Sequence, residues 1–216
     1  MAPFKFFLIL FLTIFICPNI IYSQQSTTGR NVDQLSIFIA SSRFEQIRKN
    51  LGEVPAIDSL FQESLRISNN NISDALVACT WACLTVKDAT IVTPLLNFKL
   101  VIPFFSSANE TFQKKNQNLP RYIFPDSPKS KWGDVDKLSH FFGSAFLEYN
   151  SFIPGVSKLF GYFIEVFEES FKIDSKFSGR DISVNSLGIK FGSDLRKKTG
   201  ILPSKYLKLY KLEITE

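Results

Sequence analysis

DKLSHFFGSAFLEYN at 136–150, SKLFGYFIEVFEESFK at 157–172 and SGRDISVNSLGIKFG at 178–192 decide the fold. Each reads as a helix, because residues three and four apart share a face and polar positions recur at that spacing. In the first, Asp136, His140 and Gly143 fall within one narrow arc. In the third, Asp181, Asn185 and Gly188 repeat the pattern, with Gly192 one turn further on. The middle segment contributes Glu165 and Glu168 from the flank of a phenylalanine stripe. The spacing predicts three helices that turn carboxylates, an amide and the chain's single histidine towards one another.

The opposite faces are oily. Leu138, Phe141, Phe142, Ala145, Phe146 and Tyr149 oppose the polar arc of the first helix, and Val184, Leu187 and Phe191 oppose that of the third. Ser178 is placed to cap the third helix, with Asp181 three residues later as its acidic partner. Glycine inside a helix costs about 1 kcal/mol relative to alanine. Gly143, Gly188 and Gly192 on polar faces therefore point to close backbone approach. Charges at Lys158, Glu165, Glu168, Glu169 and Lys172 interrupt the apolar runs before they reach the ~20 residues that span a bilayer. A mainly α helical bundle is expected, with enough phenylalanine to lie on a membrane surface.

Working outward, 24–92 reads as a helical accessory region. Val32, Leu35, Phe38 and Ile39 lead into Phe44, Ile47 and Leu51, and Gly52 with Pro55 beyond gives a stop signal. Ile57, Leu60, Phe61 and Leu65 form a second amphipathic piece, closed by Asn69–Asn71. A third helix follows, with Asn71 or Ser73 as cap. Its apolar stripe is Ile72, Leu76, Cys79, Cys83 and Val86. Two cysteines four apart on a helix are poorly placed for a disulfide and lack histidine neighbours for zinc. Buried free thiols are expected, with an intermolecular bridge as the alternative.

Residues 93–135 change character. Leu96, Phe98, Leu100 and Ile102 alternate as in a strand that Pro103 ends. Ser106–Ser130 reads as a long polar connection, leading to the helical core at 136–195. The basic tail at 196–216 carries Arg196, Lys197, Lys198, Lys205, Lys208 and Lys211. Within it Leu207, Leu209, Tyr210, Leu212 and Ile214 suggest a strand that pairs with Leu95–Ile102 in a small two-stranded β element.

Residues 1–23 are set apart from the fold. Lys5, the apolar run Phe6–Ile16 and Ile21-Tyr22-Ser23 make a signal peptide with a cleavage site before Gln24. An uncleaved anchor is the alternative, and Ile16 before Cys17 argues against lipidation. The formal net charge of +5 falls to +4 without the leader, since Lys5 is its one charged residue. In an exported protein, either periplasmic or membrane-associated in the cell envelope, that excess suits an envelope protein or a membrane surface as partner. Nucleic acid is not expected as a partner.

DKLSHFFGSAF, EVFEESF and SGRDISVNSLG together resemble the three blocks of the YfiM-like family, uncharacterised predicted envelope lipoproteins. More distantly they are similar to VanZ-like membrane proteins. The resemblance covers 136–192 and implies that Asp136, Lys137, His140, Glu165, Asp181, Asn185 and Gly188 are family positions. The chain departs from the pattern at Ile164, where lysine is usual, and at Glu168, where aspartate is usual.

Three uses of the cluster Asp136, His140, Glu165, Glu168, Asp181 and Asn185 follow. It can be a structural polar knot whose members satisfy one another, as buried charges require. It can bind a divalent cation, or a phosphate-bearing ligand met by Lys137 and Arg180 at the helix starts. No other cofactor is expected. Or His140 can act as a general base oriented by Asp136 with a glutamate such as Glu165 as acid, although no nucleophile elbow, phosphate loop or HExxH helix accompanies it. The structural reading ranks first and the enzyme last.

Overall fold

Serine, glycine and asparagine set the lengths of the first four helices, α1 (Thr27–Ala40), α2 (Ser42–Leu51), α3 (Glu53–Ile67) and α4 (Ile72–Ala82), with breaks at Gly52 and Asn69–Asn71 as expected and one at Ser41 that divides a run read as continuous. The computed structural model describes residues 26–92, 99–151 and 179–210. The expected leader, the segment bearing Glu165 and Glu168, the Ser178 cap and the chain after residue 210 lie outside them. Ser26 Oγ accepts from Gly29 N–H to start α1, and Ser41 Oγ accepts from Phe44 N–H to start α2. Gly52 takes φ 97°, which ends α2 where a side chain would be strained. Asn69 and Asn70 adopt the left-handed conformation that asparagine tolerates. Of the two candidate caps, it is Asn71 that accepts from Asp74 N–H to begin α4.

Cys79 and Cys83 are free and fully buried, as expected. Burial pushes both thiols up, Cys83 to about 12, so neither is a ready nucleophile. Val86 departs from the predicted stripe. The helix ends at Ala82, and Val86 beyond it is exposed.

The fold is mainly α with one small antiparallel pair, β1 (Asp88–Val92) and β2 (Lys99–Pro103). The part of the expected strand that holds Leu100 and Ile102 is present and ends at Pro103, but its partner is different. Leu95, Leu96 and Phe98 lie outside the described residues. Asp88 pairs with Pro103 and Val92 with Lys99, so β2 folds back on the segment just before it. A short loop closes at less entropic cost than a pairing with the distant tail. The tail instead forms a helical turn, α8 (Ser204–Leu207), and Tyr206, Leu207 and Tyr210 are buried. That spacing follows a helix face, not the strand alternation read from Leu207, Leu209 and Tyr210; Leu212 and Ile214 lie outside the described residues.

The expected connection at 106–130 holds another helix, α5 (Asn109–Asn118), with only Phe112, Lys115 and Asn118 buried. Polar side chains seat it by donating to carbonyls that other elements leave open. Lys115 Nζ donates to Leu84 O at 2.6 Å, and Asn118 Nδ2 to Ile39 O at 2.9 Å. Lys115 is 1% exposed, and burial pulls it down to about 8. The unfolded chain, near 10.5, therefore holds a proton that the folded chain has lost between those values. Stability contributed at this position must rise with pH across that window, by up to about 3 kcal/mol. Compared with Lys115→Met, the wild type should gain stability between pH 8 and 10.5 in urea unfolding. A constant difference between the two proteins would contradict the burial.

Among the described residues, the last two long helices are α6 (Lys137–Asn150) and α7 (Gly179–Leu195), which pack on each other, with α4 also against α6. One hydrophobic core runs from Val32 to Tyr210 and crosses every boundary drawn from composition. Phe61 of α3 shows how: its ring centroid lies 5.2 Å from Phe191 and 6.2 Å from Phe142.

Candidate functional site

Asp136 occupies the position before α6 but does not cap it with its side chain. Its carboxylate is drawn instead to Lys137, whose Nζ lies 2.6 Å from Asp136 Oδ2 and 2.6 Å from Asp181 Oδ1 of α7. Lys137 and Asp181 are both buried, whereas Asp136 is exposed. Burial alone would push the Lys137 ammonium down; the two carboxylates outweigh it and hold the group above its ordinary value. The contact with Asp181 Oδ1 is an ion pair without an aligned hydrogen bond. His140 Nε2 approaches the same oxygen, at 3.9 Å.

One turn further along, Ser144 Oγ donates to Asn185 Oδ1 at 2.9 Å. Between these polar contacts the backbones meet. A Cβ on Gly188 would fall on Phe141 O, and one on Gly192 on Ala145 O. The pairings 137 with 181, 141 with 188 and 145 with 192 advance together, so α6 and α7 run side by side in the same direction. Asp181 and Asn185 face α6, and the glutamate-bearing segment expected beside them lies outside the described residues.

Three placements differ from the sequence reading. Among the described residues, the carboxylate that approaches His140 is Asp181, not Asp136 one turn before it, whose side chain is exposed and turned to Lys137. Gly143 lies on the α4 side of α6, where a Cβ would meet Thr80 Cγ2 at 3.4 Å, in ordinary contact. The two cations expected to meet phosphate are both engaged with carboxylates. Arg180 Nη2 donates to Asp134 Oδ1 at 2.6 Å and its Nε to Tyr210 Oη at 3.1 Å. Burial acts to lower Arg180, and Tyr210 with Asp134 more than offsets it. Glu165 and Glu168 fall outside the described residues.

Sequence reasoning missed two buried carboxylates, one that anchors Arg180 and one that anchors Arg196. Asp134, fully buried, accepts from Ile123 N–H, Phe124 N–H and Ser127 Oγ–H besides Arg180. Glu148, also buried, pairs with Arg196 at 2.5 Å, which removes Arg196 from the free basic tail. Asp134 stands outside any periodic segment and carries no local signal. Glu148 sits on α6 with a spacing that could have placed it one turn beyond Ser144.

Among the described residues, no group of three or more His, Cys, Asp or Glu side chains is arranged to hold a metal ion. No helix among them is long and apolar enough to cross a membrane. A hollow of about 210 Å³ is lined by Val54, Ile123, Pro125, Leu207, Lys208 and Tyr210, none of which belongs to the Lys137 cluster. No protein-family model matches the sequence, no curated protein is significantly similar to it, and no solved structure matches the fold.

Proposed function

We propose that this is an exported protein of the cell envelope with an interaction or envelope-maintenance role, in which the Asp136–Lys137–His140–Asp181 cluster is a structural knot. The supporting observation is the Lys137 ammonium, in contact with two carboxylates at 2.6 Å. It stands between the two carboxylates, where a bound cation would sit, and offsets one of their two charges. Buried ion pairs of this kind specify one packing more than they add stability. The leader at 1–23 and the YfiM-like blocks support the compartment.

His140→Ala separates this role from chemistry. The substitution should cost about 1 kcal/mol in urea unfolding and reduce envelope function only in proportion to lost protein. Full abundance and full stability with function abolished would sink the structural reading. Fractionation with and without a carbonate wash tests the compartment.

A second reading is a small ligand at His140. It rests on the 3.9 Å separation from Asp181 Oδ1, an oxygen in ion-pair contact but without an aligned donor. Calcium, magnesium, manganese, zinc and inorganic phosphate, each added to the purified protein, test it through thermal shift. A shift that His140→Ala removes would favour it over the first reading.

A further inference from the structure

Tyr122 and Trp132 are among the most exposed large side chains of the described fold, at 52% and 54%. They stand on one loop rim. Arg121 Nη1 donates to Lys131 O at 2.8 Å and Tyr122 Oη to Ser130 O at 3.2 Å, so the two strands of the loop are tied side by side. Ser130 Oγ accepts from the N–H groups of Trp132 and Gly133. Gly133 takes φ 53° and packs against Arg121 O, a place closed to a side chain. Behind the rim, Asp134 N–H donates to Arg121 O at 2.6 Å and its side chain is fully buried. The aromatic rings are therefore held out from a fixed backbone.

Two lysines flank the rings. Lys129 and Lys131 are exposed, and neither forms an ion pair among the described residues; Lys131 Nζ lies 4.9 Å from the Trp132 ring centroid. Of the neighbouring acids, Asp134 is buried against Arg180, which it shares with the partly exposed Asp126, and Asp136 shares Lys137 with Asp181. Indole and phenol rings with polar tips, flanked by lysines, match the boundary between lipid head groups and acyl chains. Anionic head groups supply the charge that the lysines lack.

We propose that the rim formed by Tyr122, Lys129, Lys131 and Trp132 docks on the surface of an anionic lipid bilayer, inserting Trp132 at head-group depth. The proposal rests on the envelope reading, yet vesicle binding by purified protein fails or succeeds independently of where the cell sends the chain.

The full chain carrying Trp81→Phe leaves Trp132 as its one tryptophan. Its emission should shift to the blue on vesicles containing phosphatidylglycerol and be quenched by brominated phosphatidylglycerol. Pure phosphatidylcholine should give little of either. Lys129→Gln with Lys131→Gln should weaken partitioning roughly 30-fold, from about fivefold per lysine, and Tyr122→Ser should weaken it further. The leader has no tryptophan, so its own insertion leaves this signal unmoved. Unchanged Trp132 emission on anionic vesicles overturns the proposal, as does an equal response to neutral ones. A shift that instead follows protein concentration without lipid overturns it too, and assigns the rim to a second copy of the chain.

Discussion

Arg180→Met should lower the unfolding free energy by about 3 to 5 kcal/mol, the range expected when a buried ion pair loses one member. Asp134 is the reason. Its side chain has no solvent exposure, and Arg180 Nη2 is the cation in contact with it, at 2.6 Å. The N–H groups of Ile123 and Phe124, at 3.3 and 3.4 Å, and the Ser127 hydroxyl would remain as partial compensation. The same guanidinium reaches Tyr210, whose ring stacks on Phe124 with centroids 4.0 Å apart. One side chain of α7 thus fastens both the loop before α6 and the turn after α8. Asp126, with a side chain 43% exposed, should matter much less: Asp126→Asn is expected to cost under about 1 kcal/mol. Adding Asp134→Asn to Arg180→Met should restore part of the loss, since the uncompensated charge is then gone. Urea unfolding of the wild type, Arg180→Met, Asp134→Asn and the double variant gives the coupling directly. A loss below about 1 kcal/mol for Arg180→Met would mean that Asp134 is satisfied without its cation.

Much of this arrangement is visible in the residues before any coordinates. Gly52 and Asn71 mark helix ends because capping is local chemistry, settled within three or four positions. The repeated polar spacing after Asp136 and Asp181 is legible for the same reason, since a helix face is a property of spacing. Partners across the fold leave no such trace. Lys137 looks like a cation open to phosphate until α7 brings Asp181 to it, and Arg180 likewise until Asp134 is seen beneath it. The helix α5 is hidden differently. Its buried face is one phenylalanine, one lysine and one asparagine, and the polar pair is buried only because Leu84 O and Ile39 O wait for donors. The tail misleads because Leu207, Leu209 and Tyr210 fit an alternating pattern by chance, while the buried set Tyr206, Leu207 and Tyr210 follows one helical turn.

Gly188→Ala and Gly192→Ala should each destabilise by about 2 to 4 kcal/mol, although alanine is the better helix former by about 1 kcal/mol. The methyl would land on a main-chain carbonyl, Phe141 O in one case and Ala145 O in the other, and a backbone oxygen of a packed helix does not swing aside as a long side chain does. To admit it, α6 and α7 must separate, and separation draws Lys137 from Asp181 and Ser144 from Asn185. The loss therefore includes the polar contacts as well as the clash. Two other glycines make the controls. Among the described residues, Gly143→Ala meets only Thr80 Cγ2 at 3.4 Å, and Gly179→Ala meets nothing within 4 Å. Both should be neutral or stabilising by up to about 1 kcal/mol. Amide exchange distinguishes the cause: in Gly192→Ala the protection of α6 and α7 should fall well before that of α1 to α3. If all four substitutions shifted stability alike, the contact between α6 and α7 would not be the close one that brings Lys137 to its second carboxylate.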